Sequence, residues 1–536
     1  SGGVGEVINQ RLNELGVGVR FYASNGNAAD ISIPEIIKNY AADEKTAVII
    51  VHIENLADPK EFYEVVRKVT PRKPVLAMKT GRTEEGSRAV ASHTGGMVGA
   101  DIATEVLLKK AGCVVFRDQE ELCQAAIAFS LQPVPKGDRV GMITNTGGPA
   151  IIATDEVIEA GLSMPPLSDD SIKRLKEALH PAAVAANPID VLATGTPEHW
   201  ETAVDVLIKD QNIDSILITF VTPFFVDTVG CARKFAAKVE EARKAGKPII
   251  MNVMTDRRQW KETLCIIHKA GIPEYEFAET AARALVALCR YGQIRRRRTE
   301  PPTQFDDINL TAAKEVLDAA ANRGAKHLSQ AETFRLLEAY RIPCARWATV
   351  QAEEQLASAA EKVGFPAALK VDDPIRALHK SEVGAVVLGI KDDAELVEAA
   401  RQLWRRFEGA SLLLQEMVEA DREVIIGAAK QPNMGHLILF GLGGIVVELL
   451  KDVAMELTPV SRGEARAMLR AIKSAPLLFG FRNIKAADTD TLAELVERVS
   501  RLVETFPQIS ELDINPLKVC AAPAAPLAVD ARVILE

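Results

Sequence analysis

Residues 89–101 read A-V-A-S-H-T-G-G-M-V-G-A-D, with His93 between Ser92 and Thr94 and with Gly95, Gly96 and Gly99 close behind. No apolar period assigns this histidine to a core face. A loop histidine can be a metal ligand, a general base or a covalent nucleophile. A metal site wants partner ligands grouped at short spacing, and residues 81–101 lack that grouping. A phosphoryl carrier wants an exposed imidazole, a carboxylate to orient it, and helix N-termini to hold the phosphate. Flanking glycines let a loop backbone come close to a phosphate. Taken alone, His93 also reads as a plain surface histidine.

Other parts of such a carrier are present. Glu54 ends the apolar run V-I-I-V-H-I-E, and the ends of strands in open parallel sheets are where sites form. It reads equally as a carboxylate closing a strand. S-G-G (1–3) precedes the helical stretch V-G-E-V-I-N-Q-R-L-N-E-L-G, and T-N-T-G-G-P-A (144–150) lies between R-V-G-M-I and I-I-A-T-D-E-V-I-E-A-G. Both read as strand–glycine turn–helix junctions, whose free N–H groups can hold an anion. A single junction of this kind is usually only a tight connection.

The elements that must position these groups follow from the apolar pattern. T-A-V-I-I-V-H-I (46–53), K-P-V-L-A-M-K (73–79), R-V-G-M-I-T-N (139–145), S-I-L-I-T-F-V (215–221) and K-P-I-I-M-N-V-M (247–254) alternate with helical stretches such as 59–69 and 226–246. Short Val- and Ile-rich runs of this type are strands of parallel sheets covered on both faces. The fold class is α/β: two flavodoxin-like doubly wound domains at 1–133 and 134–290, a linker and helix at 291–327, then an α+β domain with antiparallel character at 328–536. At 536 residues the chain is too long for one domain.

The net charge of −9 argues against general affinity for nucleic acid or anionic membrane. The run Arg295–Arg298 reads as a solvated face of the linker. Seven scattered cysteines with no C-x-x-C pair point to a reducing, cytoplasmic setting. No run approaches the ~18 apolar residues of a membrane span, and the start does not resemble a signal peptide.

Taken in order, S-H-T-G-G-M-V-G-A-D, K-P-V-L-A-M-K-T-G-R, F-Y-A-S-N-G-N-A-A-D (21–30), N-T-G-G-P-A-I-I-A-T-D-E-V-I-E-A-G-L, A-N-P-I-D-V (186–191), F-P-A-A-L-K-V (365–371), A-L-H-K-S-E-V-G-A-V-V-L-G-I (377–390), F-G-L-G-G-I-V-V-E-L-L-K-D-V-A-M-E-L-T-P-V (440–460) and E-L-D-I-N-P-L (511–517) resemble the NDP-forming acyl-CoA synthetase superfamily over essentially the whole chain. The resemblance implies that His93 is the phosphohistidine and Glu54 its orienting carboxylate. It implies that Gly2, Gly3, Thr146, Gly147 and Gly148, with Thr94 and Gly95 of the loop, grip the phosphate. His379 matches a second histidine that relays phosphate toward the nucleotide in the ADP-forming acetyl-CoA synthetase branch.

The last third resembles an ATP-grasp domain. There Lys370 would neutralise nucleotide phosphates, Q-E-M-V (415–418), with Glu416, Met417 and Val418, would line the adenine pocket as a hinge strand, and Glu423 would also face the nucleotide. Asn515 and Asp530 match the Mg²⁺ ligands. The implied reaction is acid, ATP and CoA to acyl-CoA, ADP and phosphate, through acyl phosphate and phosphohistidine. The implied ligands are ATP or ADP, Mg²⁺, CoA and a small carboxylic acid, and the implied assembly is a homodimer.

Members with this arrangement begin with a CoA-binding domain, and this chain starts where that domain would have ended, so CoA binding is expected from a missing or separate domain. The relay motif reads H-K-S-E-V-G-A-V, where Asp and a second Gly are more usual. K-Q-P-N-M-G-H (430–436) replaces an acidic residue and F-G-P. Two other readings stand beside the ligase: an enzyme that couples acyl-CoA formation to a further step such as lysis of the activated acid, and a silent regulatory or protein-acylation subunit. T-F-V-T-P-F-F (219–225) offers aromatic bulk for the acid pocket, or for a core.

Overall fold

The computed structural model describes residues 2–26, 28, 30–81, 101–297, 300–374, 384–443 and 452–536. It divides into two compact units, Ser1–Arg298 and Thr299–Glu536.

In the first unit the expected strands form where the apolar runs lie. β1 (Ile49–Ile53), β2 (Val75–Lys79) and β3 (Val114–Phe116) make a parallel sheet in that order. Around them are α1 (Gly2–Glu14), α2 (Ile33–Ala42), α3 (Pro59–Val69), α4 (Asp101–Lys110) and α5 (Gln119–Leu131). Local chemistry sets their starts. Ser32 and Glu35 close a capping box on α2, and the Asp58 side chain accepts from Glu61 N–H at α3, with Pro in the first turn of each.

A second parallel sheet follows. Its elements are β4 (Val140–Thr144), α6 (Gly147–Glu159), α7 (Asp169–Ala178), β5 (Ile189–Asp190), α8 (Pro197–Lys209), β6 (Ser215–Val221), α9 (Thr228–Ala245), β7 (Ile249–Met254), α10 (Lys261–Lys269), β8 (Glu274–Tyr275) and α11 (Ala278–Arg296). The strand order is β5-β4-β6-β7-β8. Every residue of β4 is buried, as a central strand covered on both faces must be. Trp200, Phe220 and Phe235 pack edge to face in this core, with ring centroids 5.1–5.7 Å apart. α11 joins the two halves: its Leu285 and Leu288 share one core with Leu76, Leu122 and Met142, and its Tyr291 hydroxyl donates to Thr70 O at 2.7 Å. Arg295 and Arg296 end this helix, and Arg296 pairs with Asp138.

The second unit is α+β. A four-stranded antiparallel sheet runs β11 (Val386–Ile390), β10 (Ala367–Val371), β12 (Leu412–Glu416), β9 (Trp347–Val350). A larger sheet runs β15 (Val453–Leu457), β14 (Gly435–Leu442), β13 (Arg422–Gln431), β16 (Ile509–Val519), β17 (Leu527–Ala528), and β18 (Ala531–Leu535) also pairs with β16. Two flavodoxin-like sheets plus an ATP-grasp-like pair of lobes is the architecture expected from the sequence. Among the described residues no helix is long and apolar enough to cross a membrane.

β1 also carries an energetic oddity. Its burial alternates, so that Ile50 and His52 share the less covered face, yet both ring nitrogens of His52 are shut from solvent without a partner among the described residues. Burial pushes this imidazole down to about 4, with Lys79 adding to the effect and Glu54 opposing it. The unfolded chain therefore takes up a proton near the ordinary value of about 6.5, while the folded chain resists until about pH 4. Stability is lost as pH falls through that window. Thermal melts at steps from pH 7 to 4 should show a flatter decline for His52→Gln than for the unaltered chain; parallel declines would refute the buried neutral histidine.

Candidate active site

The glycine turn after β4 is built for an anion. Thr146 is the N-cap of α6 but makes no side-chain cap, and the first turn of α6 contains no acid. Gly147 and Gly148 open the helix, are exposed, and would meet nothing within 4 Å if given a Cβ. Their N–H groups thus point from the positive end of the helix with open space in front. Thr144 Oγ1 accepts from Thr146 N–H at 3.0 Å and donates to Thr146 O at 2.6 Å, which fixes the turn.

Asn145 anchors it from the other side. This residue is 5% exposed, donates from Nδ2 to Val221 O at 2.9 Å, and accepts at Oδ1 from Val221 N–H at 3.0 Å. It therefore ties the β4–α6 turn to the end of β6. β4 and β6 are the neighbours at which the strand order reverses, where crevices open in doubly wound sheets. Beyond Val221 the chain exposes Phe224 by 85% and Phe225 by 57%, their rings edge to face at 5.3 Å.

The other half repeats part of this. α1 begins at Gly2 and Gly3, so these glycines form its first turn rather than a turn ahead of it. A Cβ on Gly3 would meet nothing within 4 Å, and Tyr22 donates from its hydroxyl to Gly2 O at 3.2 Å. Glu54 follows β1 directly, beside Thr80, whose N–H donates to Ile53 O at 3.1 Å. His93, Thr94 and Gly95 lie outside the described residues, as does His379 of the second unit.

In the second unit the candidate residues come together in part. Lys370 sits on β10, 6% exposed, and its Nζ donates to Val529 O at 2.9 Å, next to Asp530. Asn515 N–H donates to Asp530 O at 3.0 Å, so the two expected metal ligands are neighbours across a strand pair. The register Ala368↔Gln415 and Lys370↔Leu413 puts Gln415 on the same face as Lys370. Gln415 is fully buried, and neither end of its side-chain amide has a partner among the described residues. A buried amide in that state fits a site that a polar ligand completes.

Glu416 and Glu423 both sit in ion pairs. The Glu416 carboxylate accepts from Arg346 N–H and Nε–H, both at 2.7 Å, and the Glu423 carboxylate pairs with Lys518 at 2.5 Å. Met417 N–H donates to Pro366 O at 3.0 Å, so the hinge strand is pinned before it reaches half-buried Val418. Gly443 N–H donates to Glu423 O at 2.7 Å, and an added Cβ there would press on the Glu423–Val424 backbone at 3.1 Å.

Two residues escaped the sequence reading although each stands in a motif it quoted, Asn145 and Asp513, whereas Gln415 opens the expected hinge strand. Asp513 lies on β16 with its carboxyl raised above the ordinary range by burial, and the negative Asp530 and Glu511 push the same way against Arg532. Asp513, Asn515 and Asp530 offer oxygen donors of the kind a hard divalent cation takes. Among the described residues no three His, Cys, Asp or Glu side chains gather closely enough to hold a metal by themselves. Mg²⁺ takes donors of this kind while keeping waters and sharing itself with phosphate.

A pair of parallel-sheet domains, the second with an uncapped, glycine-opened helix after β4, followed by an antiparallel α+β unit, is the architecture of a class of phosphoryl-transfer enzyme. Family models match each part: the succinyl-CoA ligase like flavodoxin domain at residues 1–129, the Ligase-CoA domain at 140–297 and the ATP-grasp domain at 319–535. The ADP-forming 4-hydroxybutyrate–CoA ligase of Nitrosopumilus maritimus is 32% identical over 534 residues, 97% of this chain and 75% of that protein. ADP-forming acetate–CoA ligase I of Archaeoglobus fulgidus is 31% identical, covering 97% of this chain and 74% of its own length. Among solved structures, the dinucleotide forming acetyl-coenzyme A synthetase 1 of Ca. Korarchaeum cryptofilum, in complex with phosphate and ADP, matches with a TM-score of 0.51 and 27% identity over 55% of this chain and 64% of that one. The chain belongs to the NDP-forming acyl-CoA synthetase superfamily.

Two consequences are measurable. Asn145→Ala leaves the Val221 N–H and C=O without their partner and should cost about 1–3 kcal/mol in a denaturant titration; a change within about 0.5 kcal/mol, the ordinary surface range, would refute the clamp. Lys370→Met should weaken ATP binding about tenfold, or ~1.4 kcal/mol, by calorimetry, and Asp530→Asn should raise the Mg²⁺ concentration needed for the same binding. Unchanged affinity in a folded Lys370→Met protein would remove this lysine from the nucleotide site.

Proposed function

We propose that this chain passes a phosphoryl group from ATP through histidine to a carboxylic acid. Family membership makes the reaction class NDP-forming acid–CoA ligation, and the relay is our reading of how these residues carry it out. The His93 imidazole attacks the γ-phosphorus and the P–O bond to ADP breaks as the N–P bond forms; in the route through His379, that imidazole takes the phosphoryl group from ATP first and His93 then displaces it, one N–P bond breaking as the other forms. The acid's carboxylate then attacks phosphorus, breaking N–P and giving acyl phosphate. The CoA thiol attacks the acyl carbon and phosphate leaves. Each displacement is easier than direct condensation.

The observation that carries this reading is the uncapped, acid-free, glycine-opened start of α6. Its N–H groups suit the phosphate of a phosphohistidine, with α1 opening on Gly2 and Gly3 in the same manner. Glu54 orients the ring, and Thr94 and Gly95 complete the grip. Lys370 balances phosphate charge, Val418 presents its backbone to the adenine, and Asn515 and Asp530, helped by Asp513, hold the cation. Mg²⁺, when bound, supplies charge neutralisation at the transferring phosphate. Phe224 and Phe225 border the same sheet edge and suit an acid with an apolar tail.

CoA is bound, on this reading, by a domain outside the three matched regions. Pyrococcus furiosus acetate–CoA ligases divided into α and β subunits support a separate supply. A homodimer in the cytoplasm completes the proposal.

Incubation with γ-labelled ATP and Mg²⁺ should give acid-labile, base-stable label on the chain, slower to appear in His379→Ala; in His93→Ala any label stays on His379. Added acid with hydroxylamine should discharge the label of the unaltered chain as inorganic phosphate, with unlabelled hydroxamate formed in step and no need for CoA, and His93→Ala should form none. A folded, ATP-binding chain that takes no label, or a His93→Ala chain that forms hydroxamate as fast as the unaltered one, would rule the relay out.

A further inference from the structure

The two expected metal ligands stand in a larger pattern on β16 and β18. The antiparallel register pairs Asp513 with Arg532 and Ile514 with Ala531. Asn515 N–H donates to Asp530 O at 3.0 Å, and the same register resumes at Leu517 and Ala528. Residues opposed across an antiparallel pair share a face, and so do residues two apart on one strand. Asp513, Asn515, Asp530 and Arg532 therefore occupy one face as two adjoining rows. Their neighbours point the other way: Leu512, Ile514, Ala531 and Val533 are buried in the core of the second unit.

The rows have a direction. The hinge residues 415–418 lead into β13, whose Glu423 pairs with Lys518 both in register and by charge. Away from that end of β16 come Asn515, then Asp513, then Glu511. A strand advances about 3.3 Å per residue, so the Asp513–Arg532 row lies roughly 7 Å beyond the Asn515–Asp530 row. Lys370 reaches Val529 O, one residue to the hinge side of Asp530. A nucleotide with its base at the hinge and its cation at Asn515 and Asp530 thus directs its last phosphate toward Asp513 and Arg532.

Arg532 is suited to meet that phosphate. Its side chain is 50% exposed, and its ion pair with Glu511, itself 52% exposed, is 3.5 Å long. An open pair of that length adds little to stability, so turning away from it costs little. A guanidinium binds phosphate oxygens through two parallel N–H groups, a geometry that the loose contact with Glu511 does not use. The other role open to Arg532 is that of a counter-ion to Glu511 and Asp513, and the two roles predict different behaviour toward nucleotides.

We propose that Arg532 contacts the terminal phosphate of a bound nucleoside triphosphate, so that the site distinguishes tri- from diphosphate. The inference rests on the nucleotide site proposed above at Lys370, Asn515 and Asp530. In that position the guanidinium balances charge on the group to be transferred. Once the group has moved on, the diphosphate lacks this contact and is released more readily.

The test is calorimetry at saturating Mg²⁺, comparing ADP with β,γ-methylene ATP, an analogue that does not transfer its phosphate. Arg532→Ala should weaken binding of the analogue about tenfold or more and change that of ADP by less than about twofold. Arg532→Lys keeps the charge without the fork and should fall between Arg532→Ala and the unaltered chain. Glu511→Gln removes the competing carboxylate and should bind the analogue at least as tightly as the unaltered chain. Near-ultraviolet circular dichroism checks that each variant is folded. Equal weakening of both ligands in a folded Arg532→Ala protein would make the residue a counter-ion of the acidic cluster and overturn the proposal. No change in either ligand would also overturn it. An unaltered chain that binds neither ligand would overturn the nucleotide site itself, and the Arg532 contact with it.

Discussion

Parallel strands buried on both faces must all end at the same edge of their sheet, and the first unit depends on that constraint. Backbone groups inside the sheet are consumed by the ladder, so polar chemistry collects in the loops after the strands and at the starts of the helices that follow. β4 shows the consequence most fully. Its five residues are buried, its turn is short and glycine-rich, and the first N–H groups of α6 emerge into open space without a side-chain cap. A Ser or Asp cap with Glu at the third helical position, as at α2, would satisfy those donors and remove the anion site. The helix forgoes that stabilisation, commonly about 1 kcal/mol for a cap, and a negatively charged ligand can restore it.

Precision at that turn is borrowed from its neighbour. Asn145 is nearly buried, and both ends of its amide are committed to the Val221 backbone. The glycine turn and the chain leading to the exposed Phe224–Phe225 pair therefore leave strand ends that are tied to one another by two hydrogen bonds. In the second unit a comparable economy operates with charge. Lys370 crosses from β10 to the Val529 carbonyl, and the Asp513 carboxyl is raised above its ordinary range by burial, with the negative Asp530 repelling its charge. A cation with its ligand's phosphates relieves that repulsion, so the acidic pair and the lysine are complementary parts of one polar site.

How far the sequence revealed this varies with the physics of each signal. Periodicity placed β1, β2, β4, β6 and β7 and the helix 59–69, because burial on both faces demands uninterrupted apolar runs that polar loops cannot imitate. Lys370, Asn515 and Asp530 were legible through family motifs, and their adjacency emerges only when β10, β16 and β18 come together. Asn145 was not legible. It is an uncharged amide whose role depends on what lies across a strand pair, and no local spacing announces that. Glu416 was readable as part of a hinge strand, yet its carboxylate belongs to Arg346, a residue seventy positions away.

The same limit explains segment 17–24. V-G-V-R-F-Y-A-S has the alternation and β-branched content of a strand, but propensity alone cannot make one, since a strand is stable only with a partner on at least one side. Here α1 and α2 hold the segment through Tyr22, Phe21 and Arg20, side-chain contacts that replace backbone pairing.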